Sequence, residues 1–123
     1  MSKEGENLMV ILTTHIGEEK AIGMGELYER VFEKHWRNRI NDTRALRSLI
    51  TRMRHQGSLI GEIRSSNGGG YYLARSTHEL EKFFDKRKKE ALKKLYMISR
   101  MKKISLPDLL GQMRISMTDK GIE

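Results

Sequence analysis

The chain has 123 residues, 37% hydrophobic and 33% charged, with a formal net charge of +8 and no cysteine. That length suits one domain, or one domain with an extension, and gives room for a modest core. The composition excludes disulfides, thiolate metal sites and wholesale disorder, no run approaches the ~20 apolar residues of a membrane span, and a cytoplasmic location is expected.

The opening residues MSKEGENLMVILTTH place acids before a short apolar run with no small-residue cleavage site, so a signal peptide is not expected. Residues 1–6 are polar and expected to fray. Asn7 to His15 holds the block Leu8, Met9, Val10, Ile11 and Leu12, which fits a first helix laid on a core. Gly17 to Lys20 reads as a turn and Ala21 to Met24 as a very short strand. From Gly25 to about Trp36, Leu27, Tyr28, Val31 and Phe32 recur at helical spacing.

The next helix is the clearest. Asp42 or Asn41 is its expected N-cap, and Gly57 stands where a C-cap belongs. Leu46, Leu49, Ile50 and Met53 form one apolar stripe at i, i+3, i+4 and i+7. The opposite face carries Arg44, Ser48, Thr51 and His55, flanked by Arg47, Arg52 and Arg54. No acid occurs from Thr43 to Gly61, whereas a merely solvated face usually mixes both signs.

Ser58 to Ile63 and Tyr71 to Ala74 read as paired strands, with Asn67-Gly68 as the hairpin signal. The three glycines Gly68 to Gly70 are expected to supply positive φ at the tip. A phosphate-cradling loop is disfavoured, because the glycines run into a strand and no Lys-Ser/Thr pair follows. Tyr71 and Tyr72 alternate faces, which points one to the core and the other along the hairpin. Ser76-Thr77-His78-Glu79 has the form of a capping box, opening a helix of about 40 Å from Thr77 to Lys103. Pro107 opens a last short segment, Leu106 to Met113.

Charge is concentrated in the middle of the chain. Residues 1–35 hold four Lys/Arg and seven Asp/Glu, residues 36–64 seven arginines and two acids, and residues 75–103 eleven bases and four acids. A basic centre behind an acidic front fits a polyanionic partner; a solvated basic surface is the plain alternative. The Lys86 to Lys89 run, with Lys93 and Lys94, reads as such a solvated face.

The expected fold class is α+β, mainly α. Helix, short strand, helix, basic helix, hairpin and long helix follow in the order of a winged helix-turn-helix. In that fold the third helix enters the major groove and the hairpin touches phosphate. The expected division is a DNA-binding domain over residues 1–75 and an extension over 76–123. The extension would form a homodimer or hold a partner protein through residues 87–117, where Met97, Met101, Met113 and Met117 offer an adaptable surface. Arg44, Arg47, Ser48, Thr51 and His55 are the candidates for base edges, with Arg52 beside them. Arg37, Arg39, Arg54 and Arg64 suit phosphate, joined by Ser65, Ser66 and Asn67 at the hairpin. The four histidines lack metal-ligand spacing, no nucleophile–base set stands out, and neither metal, cofactor nor enzymatic activity is expected.

The run from Ile22 to about Lys86 resembles small winged-helix proteins of bacteriophages and prophages. The likeness lies in Leu46-Arg47 through Gly57, in Gly69-Gly70-Tyr71-Tyr72-Leu73-Ala74, and in the acidic helix start Thr77-His78-Glu79-Leu80-Glu81. It covers about half the chain, which departs from the pattern in a longer Trp36–Asn41 link and a longer, basic fourth helix. The resemblance implies a transcriptional regulator or a replication-associated organiser that binds double-stranded DNA sequence-selectively. The alternative is a winged-helix protein-interaction module within a larger complex. RNA binding ranks lower, since only 7% of residues are aromatic.

Overall fold

A computed structural model describes residues 2–65 and 68–119. It is mainly helical with one small antiparallel sheet: α1 (Lys3–Leu12), β1 (Ile22–Gly23), α2 (Met24–Phe32), α3 (Arg39–His55), β2 (Ile60–Ser65), β3 (Gly68–Leu73), α4 (Glu81–Lys102) and α5 (Leu106–Asp119). The chain divides into two compact units, residues 1–81 and 82–123. None of the described helices is long and apolar enough to cross a membrane.

In the first unit, α1 begins four residues earlier than its apolar block suggests. The Ser2 hydroxyl accepts from Gly5 N, and Glu4 and Glu6 sit in the first turn, where the helix dipole favours acids. Residues expected to fray are thus helical from Lys3. The Asn7 side chain donates to Val31 O at 3.1 Å and ties α1 to α2. Leu8, Ile11 and Leu12 of α1 meet Leu27, Tyr28 and Val31 of α2 in the core. Leu46, Leu49, Ile50 and Met53 of α3 join them, with Ile60 and Tyr71 from the sheet. The α3 stripe is buried as its spacing predicts.

The strand order is β1–β3–β2. β3 is central, pairing Ile22 with Tyr71 on one side and Ile60 through Ser65 with Leu73 through Gly68 on the other. This corrects the expectation for the glycines. Gly69 and Gly70 lie inside β3, not at a tip, and neither has positive φ. A Cβ on Gly69 would come within 2.9 Å of Ile63 O, and one on Gly70 within 2.9 Å of Ile22 O. These residues are small because the neighbouring backbones crowd the central strand. Ser66 and Asn67, and with them the Asn67-Gly68 turn signal, lie outside the described residues.

Both tyrosines are buried, on opposite faces: Tyr71 in the core, Tyr72 over the glycine across the ladder. A Cβ on Gly61 would lie 2.4 Å from the Tyr72 ring, so the aromatic fills the space that glycine leaves. Gly61→Ala is expected to destabilise the first unit by about 1–3 kcal/mol, the usual cost of forcing a packed side chain from its site. Thermal unfolding followed by circular dichroism checks this. The double variant Gly61→Ala/Tyr72→Ala should be less destabilised than the two single losses combined.

The segment after β3 is pinned before the long helix starts. Arg75 bridges Glu19 and Glu79, the latter at 3.6 Å, and Glu79 also accepts from Arg75 N at 2.8 Å. Ser76 is the N-cap by position but makes no side-chain cap bond. Thr77–Leu80 is a 3-10 turn, so the α-helix proper begins at Glu81 rather than Thr77.

In the second unit, α4 stops where Lys103 turns left-handed (φ 60°) and Ile104 N bonds back to Ser99 O. The Ser105 hydroxyl then accepts from Asp108 N and caps α5, which runs to Asp119, well past the expected Met113. Among the described residues of this unit only Ser99 and Leu109 are buried, while Leu92, Tyr96, Met97, Met101, Leu110 and Ile115 are exposed.

Candidate nucleic-acid interface

The outer face of α3 is built by its inner one. Once Leu46, Leu49, Ile50 and Met53 are buried, the 3.6-residue repeat turns Arg44, Arg47, Ser48, Thr51 and His55 outward within an arc of about 100°. All five are exposed, as is Arg52 at the edge of the arc. From Asn41 to His55 every exposed side chain is polar or charged, except Ala45.

The entry to α3 is tied more elaborately than the spacing suggests. The cap is Asn38, whose side-chain oxygen accepts from Asn41 N at 3.0 Å. Asp42 lies inside the first turn. Its carboxylate reaches back to accept from Arg37 N at 2.9 Å and Asn38 N at 3.1 Å, with the Tyr28 hydroxyl nearby. These bonds, the Arg37 amide foremost, hold the Asp42 carboxyl below the usual carboxylate range. Burial, helped by the neighbouring Asp42 carboxylate, raises the Tyr28 hydroxyl. Trp36 packs edge-on against Tyr28 at 5.5 Å, and its amide donates to Glu29, so it anchors the α2–α3 link. Arg37 is exposed beside this turn, and Arg39 is the first residue of α3.

A depressed carboxyl stabilises the fold above its unfolded pKa of about 3.9, and that contribution is lost as pH falls through the folded value. Asp42→Asn should therefore lower the melting temperature at neutral pH and change it little in acid. Melting curves collected from neutral pH to below 3.9 check this. Some acid sensitivity should survive, because Glu19 is also held low, chiefly by its bond to Arg75.

The exit from α3 uses the expected glycine. Gly57 has φ 96°, and Ser58 N bonds back to Met53 O at 3.0 Å, which starts the chain toward β2. Along β2, alternation sets Ile60, Glu62 and Arg64 on one face. Arg54, expected as a phosphate ligand, turns inward instead: its Nε donates to Ile60 O at 2.9 Å and its guanidinium pairs with Glu62 at 3.3 Å. With its side chain only 21% exposed, it braces α3 against β2. Arg64 remains 72% exposed, 4.0 Å from the other Glu62 oxygen.

Glu62 is the residue that sequence reasoning missed. Strand alternation next to a basic helix was the available signal, but the partner eight residues earlier shows only in three dimensions. Glu62 lies opposite Tyr71 in the ladder. The Tyr71 hydroxyl is raised, first by burial and then by Glu62, against the opposing pull of Arg47 and Arg54. The edge of α3 bearing Arg47 and Arg54, the β2 charges and Tyr71 therefore form one neighbourhood.

Ser65 ends β2; Ser66 and Asn67 lie outside the described residues. Among the described residues no group of three His, Asp or Glu side chains stands together as a metal site. The His15 ring instead bonds Lys20 O at 2.8 Å. In the second unit, Lys82, Lys86, Lys89 and Lys93 share an open surface of α4 with Asp85 and Glu90. Comparison with protein-family models, curated proteins and solved structures gave no match to this chain.

Proposed function

We propose that this chain is a sequence-selective double-stranded DNA-binding protein of winged helix-turn-helix type, a phage- or prophage-type transcriptional regulator or replication organiser, without enzymatic activity. The observation that carries the reading is the exposed, acid-free outer face of α3 beside a strand pair on which Arg64 is 72% exposed. Arginine can bond guanine in bidentate fashion, Ser and Thr hydroxyls adapt to several base edges, and the major groove presents a distinct pattern for every base pair. Arg37, Arg52 and Arg64 suit the flanking phosphates, which set position rather than sequence. A surface for a protein partner would carry aromatic or aliphatic anchors, and the exposed face of α3 from Asn41 onward has none larger than Ala45.

Binding of the full chain to a random-sequence duplex of about 20 bp, measured by fluorescence anisotropy across a salt series, tests the reading. Affinity should fall steeply with salt, with a slope of about −0.9 for each phosphate neutralised. Binding that is absent, or indifferent to salt, would remove it.

In the same reading the second unit holds two copies together. Among its described residues this pair of helices buries little apolar surface, and in this reading a second copy supplies the second layer that a core is built from. The DNA site would then contain two half-sites one or more helical turns apart. Sedimentation equilibrium should find a dimer for the full chain and a monomer for Tyr96→Glu/Met101→Glu; a monomeric wild-type chain would end this part of the reading.

A further inference from the structure

The arginines flanking α3 are not equally available, and one carboxylate accounts for the difference. Glu62 is the sole acid between Thr43 and Ala74, and its side chain is only 20% exposed. It pairs with Arg54 at 3.3 Å and stands 4.0 Å from Arg64. Arg54 is held a second time by Ile60 O. The carboxylate thus lies against cationic groups on the side where the DNA reading brings a phosphate. A carboxylate among guanidiniums offers them the acceptor geometry that a phosphate would.

Resting on that reading, we propose that Glu62 tempers the chain's sequence-independent grip on DNA: it occupies Arg54 and offsets Arg64, so that fewer cations are offered to phosphate beside α3. A chain without it would gain affinity for any duplex alike. Non-specific binding is almost wholly electrostatic and competes with the true site at every genomic position. An acid in a basic interface lowers affinity everywhere but lowers the fraction of chain lost to random DNA as well.

The test compares wild type, Glu62→Gln and Glu62→Asp on a random-sequence duplex across a salt series, with a thermal melt of each. Glu62→Gln should bind random duplex about three- to tenfold more tightly at low salt, with a slope steeper by up to about one unit as an arginine is released. Glu62→Asp keeps the charge and should stay near wild type. Arg64→Ala should cost more affinity in the Glu62→Gln background than in wild type. If Glu62→Gln does not fold, Glu62→Thr, which suits a strand, takes its place with the same expected gain.

A folded neutral variant with unchanged affinity and slope overturns the proposal alone. So does an equal gain in Glu62→Asp, which would make the effect one of packing. Absence of duplex binding by the wild-type chain overturns the DNA reading and this inference together.

Discussion

Replacing Arg47 with alanine should cost the chain roughly tenfold to a hundredfold in affinity for its preferred duplex, beyond the loss on random DNA. Arg47 is exposed on the edge of α3 nearest the hairpin, within the electrostatic reach of Tyr71. A side chain in that position can address a base edge, and a good bidentate contact is worth about 1–3 kcal/mol of discrimination. Random duplex loses only the attraction of one charge. Arg47→Lys separates the two contributions: it keeps the charge, and with it the random binding, but forfeits the planar fork. The measurement is anisotropy on a duplex selected from a random pool by the wild-type chain, beside the random pool itself. Equal losses on both in Arg47→Ala, or a silent Arg47→Lys, would take Arg47 out of the recognition surface.

One residue earlier, Leu46→Ala should fail in the opposite way. Leu46 is fully buried at the meeting of α1, α2 and α3. Truncating a buried leucine costs about 2–5 kcal/mol through lost transfer energy and a residual cavity. That is a large share of the 5–15 kcal/mol typical of a whole domain. The melting temperature should fall by more than about 10 °C. Binding to preferred and random duplex should fall together, in proportion to the unfolded fraction. Adjacent residues on one helix would thus separate folding from reading. A Leu46→Ala chain that melts like wild type would mean α3 is not seated on the core by this face.

The clearest features of the sequence were those set by local periodicity. The α3 stripe and its glycine C-cap follow from spacing and turn chemistry, and an antiparallel partner for the strand after α3 follows from its apolar pattern, because each involves residues close in sequence. What spacing could not reveal were contacts made across elements. Asp42 has the chemistry of a cap, and only the path of the Trp36–Asn38 link shows that Asn38 takes that place while Asp42 reaches back. The glycines of β3 look like tip residues until β1 and β2 close in on both sides. Arg54 reads as one more surface arginine on α3, yet β2 returns beneath it and supplies both Ile60 O and Glu62.

The candidate site was legible as a face but not as a balance of charges. Arg44, Arg47, Ser48, Thr51 and His55 stand outward as helical geometry requires. The carboxylate that tempers the neighbouring arginines comes from a different element. Its role depends on strand register, since a shift of one residue would turn Glu62 to the other side of the sheet. The start of α1 was missed for a simpler reason. Ser2 is a cap that lies outside the apolar block used to find that helix.

The central claim is that α3 meets DNA with its outer face. Amide and arginine side-chain NMR shifts of the full chain, followed during titration with a 20-bp duplex, test it most directly. The account predicts the largest changes from Arg44 to His55 and at Arg64, with α1 nearly silent. Changes confined to the lysines of α4 between Lys82 and Lys94, with α3 unmoved, would contradict it.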